Sequence, residues 1–468
     1  MRRAYAQSPV PPDVRLTAVA VVGSLAHEQA VRTLQSSFAE RTAGGVRLAK
    51  RTSNLFRTRG SAGAGLDVSD LGHVISVDAE ARTADVQGMC TYETLLDETL
   101  GHGLMPLVVP QLKTITLGGA VTGLGIESSS WRNGLPHESV LDMDVLLGTG
   151  EVISCSPTEH PDLFETFPNS YGSLGYAVRL RIALQPVAPF VALRHVRFAD
   201  LDELAAAVGH IAEHGEWDGA GIDFVDGVMF GPSESYLTLG TWADEGRPSD
   251  YTGQRIYYRS IRERERDCLT VADYLWRWDT DWFWCSSAFG LGRPAVRRVW
   301  PRRLRRSDVY HRLVALDARF QVTARLDRAR HLPARERVVQ DVEIPVGRTA
   351  EFLRWFAGGV GMTPVWLCPL RARRQWALYP LQPGATYVNV GFWGTVPIAD
   401  GARDGDVNRL IEQKIGELDG HKSLYSDVFY DRGTFDKLYG GATYESVKRR
   451  YDPGQRLTGM YEKVVGRR

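Results

Sequence analysis

"TLGGAVTGLGIESSSWRNG", Thr116 to Gly134, places five glycines and three consecutive serines between two apolar stretches. Gly118-Gly119 and Gly123-x-Gly125 let the backbone turn sharply and approach a ligand closely. Backbone N–H groups in such turns make a nest for anions, and Ser128, Ser129 and Ser130 add hydroxyl donors. No lysine follows in the P-loop spacing, and the glycines do not open a helix as Gly-x-Gly-x-x-Gly after a strand. Neither a Walker site nor a Rossmann fingerprint is therefore present. A glycine-rich turn kept for tight packing explains the stretch equally well when it is read alone. Two companions shift the balance. "SYGSLGYAV", Ser170 to Val178, is a second Gly-x-x-Gly turn before a strand, and "KRTSNLF", Lys50 to Phe56, is a polar loop after one. Three such loops beside strands can line one long, diphosphate-bearing ligand.

The bulk properties bound what that ligand serves. With 468 residues, two or three domains are expected. Hydrophobic content of 43% and charged content of 24% are those of an ordinary globular chain. Lys plus Arg equals Asp plus Glu at 56 each, which argues against a dedicated nucleic-acid binder. The five cysteines are widely spaced, without a Cys-x-x-Cys, so neither a zinc site nor a disulfide framework is expected. The N-terminus has no apolar core of a signal peptide, and no apolar run is long enough to span a bilayer. The expectation is a cytoplasmic protein. The arginine-rich "RRVWPRRLRR", Arg297 to Arg306, is most simply a solvated face, with a peripheral contact on an anionic inner membrane face as the functional alternative.

Along the chain, residues 1–13 read as a disordered arm and "RLTAVAVVGS" as an opening strand or linker. "SLAHEQAVRTLQSSFAERTAGG" reads as a helix with Leu25, Ala30, Leu34 and Phe38 on one face. "HVISVDAEARTADVQGMC" alternates around a charged turn as a hairpin, and "TYETLLDETLGHG" is a helix with Thr91 as its N-cap. Strands and short helices then alternate to residue 187, without the regular rhythm of a doubly wound sheet. An α+β domain over 14–187 is followed by a second α+β domain with an antiparallel sheet over 188–425. A C-terminal helical segment, 426–468, is expected to pack back on the first domain. In the second domain "TPVWLCPL", "WALYPL" and "TYVNVGFWG" read as strands.

"KRTSNLF", the long "VPQLKTITLGGAVTGLGIESSSWRNGLPHESVLDMDVLLGTGEVISCSP" and "SYGSLGYAVRLRIALQP" resemble the FAD-binding domain of the vanillyl-alcohol-oxidase (p-cresol methylhydroxylase) superfamily. "CSPTEHPDLFETFPNSYGSLGY", "DFVDGVMF", "VVQD", "WLCPL" and "LYGGATYESVKRRYDP" extend the likeness over nearly the whole chain, to the Δ24-sterol reductase-like branch. The resemblance implies a two-domain α+β flavoprotein. It also implies an FAD diphosphate lying along Ser53, Asn54, Thr116, Gly118, Gly119, Gly123, Gly125 and Ser128, with Gly172, Gly175 and Val178 on the adenine or ribitol side. Some members tether FAD through His or Cys. "KRTSNLF" and "GIESSSW" hold neither, and His137 and Cys155 read as structural, so non-covalent FAD is expected.

The branch's members reduce isolated lipid C=C bonds with NADPH. One group acts on a sterol side chain, and a bacterial group converts the methylene branch of a fatty acyl chain to a methyl. The chemistry needs a hydride on one carbon and an acid for the other. Tyr387, Asn389, Asp281 and Tyr274 are the nominated acids, each more often structural than catalytic. Seven aromatics between Tyr274 and Phe289 are either core or an apolar tunnel for an acyl chain or sterol. Arg297 to Arg306 could also meet the NADPH 2′-phosphate. The family's sterol reductases carry an N-terminal membrane anchor with no counterpart here, which favours the 10-methylene fatty acyl substrate over a sterol. Two other readings stay open: an FAD-dependent oxidase or dehydrogenase of an alcohol or sugar, and a flavin-bearing partner for a methyltransferase.

Overall fold

The alternating segments pair into two antiparallel sheets. The computed structural model describes residues 12–41, 45–50, 56–57, 65–320, 325 and 328–465. In the first sheet, β1 (Val74–Asp78), β2 (Thr83–Gln87), β3 (Leu104–Pro106), β4 (Val140–Leu146), β5 (Val152–Cys155) and β6 (Tyr176–Pro186) are arranged β1-β2-β6-β4-β5, with β3 also on β6. The expected hairpin is β1–β2, with Val74 opposite Val86 and Asp78 opposite Thr83. The central β6 buries alternate residues, Leu180, Ile182 and Leu184, under the helices.

The second sheet takes β7 (Phe190–Phe198) and, after a two-residue hairpin of β8 (Glu216–Trp217) and β9 (Ala220–Gly221), β10 (Phe224–Gly231), β11 (Glu234–Ala243) and β12 (Arg266–Thr270). It is completed by β13 (Arg335–Pro345), β14 (Val365–Leu370), β15 (Tyr387–Pro397) and β16 (His421–Lys422). The order is β12-β7-β11-β10-β14-β15-β13-β16, so the sheet closes around strands far apart in sequence. One face packs on the helices Leu201–His214 and Val346–Gly359, through Leu204, Val208, Ile211, Phe352 and Phe356. The other joins the core of the first sheet and the aromatic segment, through Phe224, Tyr274, Trp278 and Trp366. Among the described residues, no helix is long and apolar enough to cross a membrane.

Three local readings change. Helix α1 runs without a break over Pro12–Ala39, so "RLTAVAVVGS" is helical and neither a strand nor a linker. Residues 12 and 13 of the expected arm belong to this helix, and residues 1–11 lie outside the described residues. Leu34 and Phe38 are buried but Leu25 is 58% exposed, because the inward face runs through Gly23 and His27, which pack on the first sheet, and Leu25 points away from it. "WALYPL" is a loop with one bridge, Trp376 to Tyr379, since its neighbours on β14 and β15 already pair with each other. The tail's helices, Arg432–Leu438, Gly441–Tyr451 and Met460–Val464, return to the first sheet's loops. There Lys448 donates to the Ser173 carbonyl (2.7 Å), Lys463 to Gly172 (3.0 Å), and Val46 N–H to Arg456 (2.8 Å).

Candidate functional site

The glycine stretch folds as a short helix, Leu117–Gly123, whose N-cap Thr116 accepts the Gly119 N–H at 3.2 Å. This helix borders a cavity of about 620 Å³, a size within the range of cofactor sites. Its walls come from both sheets. The first contributes Arg47, Lys50, Met89, Gly118, Gly119, Gly123, Tyr171 and Gly172, and the second contributes Asp341, Trp366 and Trp393. Phe56, Trp282, Phe283 and Tyr425 complete an aromatic chamber, with Phe56 and Trp282 stacked at 5.7 Å and Phe283 tilted against Trp393 at 4.4 Å. Leu124, Tyr171, Trp282 and Phe283 all line it with positive φ, from 47° to 88°. Such strain concentrates where a surrounding fold holds a working surface.

The nominated cofactor residues separate into three groups. Thr116, Gly118, Gly119, Gly123, Gly125 and Gly172 line the cavity. Ser53 and Asn54 lie outside the described residues. Ser128, Gly175 and Val178 are turned elsewhere. The Ser128 hydroxyl is buried against Glu127 (2.5 Å) and Tyr274 (2.8 Å). Gly175 is needed because a Cβ there would meet Val145 Cγ1 at 2.5 Å. Val178 packs with Phe38 and Leu66, and its carbonyl holds the Gly88 N–H.

The residues present fit a dinucleotide. Lys50 donates to Thr116 Oγ1 at 2.9 Å, directly beside Gly119. A Cβ at Gly119 would come within 2.8 Å of Thr116 Oγ1 and 3.4 Å of the Lys50 ammonium, so glycine keeps this cationic corner open. Lys50, Arg57 and Lys463 all line the cavity, and such cations suit a diphosphate. Both amide atoms of the cavity-lining Gln111 are buried without a protein partner, as is the Tyr171 hydroxyl, although Leu424 lies near it. Unsatisfied donors and acceptors on a cavity wall are what a polar ring edge would complete.

The four nominated acids do not line the cavity. The carboxylate of Asp281 is gripped by Arg297 at 2.6 and 3.2 Å and by Ser286 at 3.0 Å. Tyr274 is bonded to Ser128 and lies under the Arg277 guanidinium at 3.9 Å. Tyr387 accepts from the Gln382 N–H and packs with Leu135 and Leu370. Asn389 is fully buried on β15, next to the cavity wall rather than on it.

The residue that sequence reading missed is Asp341, the only carboxylate among the described lining residues. It sits in "VVQD", a stretch singled out only for its family likeness. Alternation along β13 could have marked it, since it puts Asp341 and Glu343 on one face amid apolar neighbours. Asp341 is largely buried and keeps some accessible surface at the cavity wall. Burial pushes its carboxyl up to about 7, while the nearby Asn389 amide and Tyr425 hydroxyl act in the opposite direction and favour the ionised form. Its Oδ1 has no partner. The Tyr425 hydroxyl in turn accepts the Trp393 indole N–H at 2.8 Å. Gly391 lies opposite on β15, where a Cβ would come within 2.5 Å of Asp341 Oδ1 and 2.7 Å of the Trp393 ring.

The arginine-rich run is not one face. Arg297 and Arg305 are buried among carbonyls of Tyr251, Thr252, Gly253 and Trp300. Arg306 pairs with Glu93 at 2.7 Å and Arg302 with Asp250 at 3.3 Å. Arg298 and Arg303 are exposed, so the run is mainly a structural clasp.

Comparison with known proteins agrees with this architecture. Residues 20–156 match the model of an FAD binding domain. The Δ24-sterol reductase of Homo sapiens is 23% identical over 412 residues, covering 84% of this chain and 76% of the relative. That of Arabidopsis thaliana is 23% identical over 454 residues, covering 86% and 77%. Cytokinin dehydrogenase 2 of Oryza sativa subsp. japonica is 34% identical over 140 residues, covering 28% and 24%. With a cationic glycine corner opening into an aromatic chamber, the chain is a two-domain α+β flavoprotein, an FAD-linked oxidoreductase. Over most of its length it is similar to the Δ24-sterol reductases.

Proposed function

We propose that this flavoprotein is an NADPH-using reductase of an isolated lipid C=C bond. The substrate is the methylene branch of a 10-methylene fatty acyl chain, ahead of a sterol side-chain alkene. The observation that carries this reading is the chamber itself: aromatic walls with one carboxyl group, continuous with the glycine corner. An apolar site with few polar anchors suits a lipid alkene. A sugar or polyol would leave its hydroxyls unpaired against Phe56, Trp282 and Trp393. When bound, FAD supplies a two-electron carrier between nicotinamide and alkene. Around it, Lys50 and the Gly119 corner would hold the diphosphate, the aromatic residues exclude water, and Gln111 offers its free amide to a ring edge. No His or Cys is among the described lining residues, which supports non-covalent attachment. The methyl-branched product also implies a methyltransferase that forms the methylene group.

Anaerobic titration tests the direction of electron flow. NADPH should bleach the flavin absorbance, and a methylene-branched acyl lipid should restore it with a gain of two hydrogens by mass spectrometry. A flavin bleached by an alcohol and untouched by NADPH would instead establish the oxidase reading.

A further inference from the structure

We propose that Asp341 is the acid that delivers the proton to the alkene, with Tyr425 and Asn389 as the groups that position and tune its carboxyl. This inference rests on the reductase reading above. Reducing a C=C breaks its π bond and forms two C–H bonds, one from a hydride equivalent supplied by the reduced flavin and one from a proton. Asp341 gives up its O–H proton, remains as a carboxylate, and takes a new proton from water entering the cavity.

The geometry singles this carboxyl out. It is the only acid on the described cavity wall, in the same chamber as Trp282, Phe283 and Trp393. Its strand is held on both sides: the full β13–β15 ladder runs from Arg335–Pro397 to Pro345–Tyr387, and β16 pairs at Val342 and Glu343. The donor is therefore fixed on a rigid element rather than a loop. Gly391 leaves the space the carboxyl occupies. The groups facing it are Glu343 from its own strand, Asn389 from β15, Cys368 from β14, Tyr425 from the segment after β16, and Tyr171 from the first domain. Among these, burial raises the Glu343 carboxyl well above the ordinary carboxylate range, which disfavours a second negative charge beside Asp341. The partnerless Oδ1 favours a protonated resting state, and the Tyr425 hydroxyl stabilises the carboxylate left after transfer. A group with its pKa near the working pH is the most effective general acid.

Two measurements test this. In stopped flow, the alkene step is expressed relative to flavin reduction by NADPH in the same preparation. In Asp341→Asn that ratio should fall about 100-fold or more, and Asp341→Glu should recover part of it. The wild-type alkene step should slow as pH rises through about 7. In Tyr425→Phe this limb should move to higher pH, because a group favouring the carboxylate is gone. Independently of turnover, infrared difference spectra of the cofactor-free protein should show a carboxylic acid C=O band that titrates near pH 7 and is missing in Asp341→Asn. An Asp341→Asn protein with the wild-type ratio and pH limb, or a wild-type protein without that band, overturns this inference alone. A wild-type protein that accepts electrons from NADPH and passes none to any alkene overturns the reductase reading together with it.

Discussion

Gly118 and Gly119 are adjacent in sequence and serve different ends. A Cβ on Gly118 would lie 2.6 Å from the Gly88 carbonyl oxygen, a backbone atom that cannot swing away. On Gly119 it would meet the ends of two side chains in the cavity's cationic corner. Gly118→Val should therefore cost about 3 kcal/mol or more of stability, read by chemical denaturation. Gly119→Val should fold normally and lose its yellow cofactor. A stoichiometrically yellow Gly119→Val protein would show that the diphosphate lies elsewhere. Asp341 makes a second residue-scale prediction. Its folded-state carboxyl stays protonated to about pH 7, against an ordinary value of 3.8. Folding therefore takes up a proton between these values, so stability contributed by the group is complete below about pH 4 and is lost as pH rises through about 7. Compared in cofactor-free form, Asp341→Asn should gain Tm relative to wild type between pH 5 and pH 8. A difference constant with pH would refute the shifted carboxyl.

At the scale of elements, helix α2 (Tyr92–Leu100) was fully legible. Thr91 caps it by accepting the Thr94 N–H at 3.2 Å, and a local hydrogen bond leaves a local signature. The hairpin β1–β2 was equally clear, because strict alternation has no helical equivalent. "WALYPL" misled because a β-rich string forms a strand only if a partner edge is free, and β14 and β15 already satisfy each other. The pairing of β13 with β15 places Gly391 against Asp341, a contact 50 positions apart in the chain. Gly391→Ala should push the carboxyl and the Trp393 ring aside. The expected result is normal expression with the alkene step reduced at least tenfold, the strain of a misplaced donor. An unchanged rate would mean that the carboxyl's position is immaterial.

At the scale of the molecule, the two sheets are joined by a buried charge cluster. Arg277 reaches Glu127 in the first domain at 3.2 Å and Asp226 on β10 at 3.0 Å, with no exposed side-chain surface of its own. Trp278 and Trp366 also donate to Asp226, at 2.8 and 3.2 Å. Glu127, the carboxyl group within the glycine stretch, is thus a fastening between domains. Arg277→Met should destabilise the protein by about 3–5 kcal/mol, because it strands two buried acidic groups. Thermal melts of wild type and variant at neutral pH measure it, and a loss below about 1 kcal/mol would refute the fastening role. By itself, the sequence determined the class: the glycine-rich loops, the serine run and the helix and hairpin periodicities are local, and they specify an α+β flavoprotein. Only the tertiary structure decided which polar groups face the cofactor space. Tyr274, Asp281, Ser128 and Asp341 are all polar residues in apolar surroundings, indistinguishable along the chain. What separates them is a partner brought from far away: Arg297 neutralises Asp281, Ser128 and Tyr274 bond each other, and only Asp341 is left on the cavity wall.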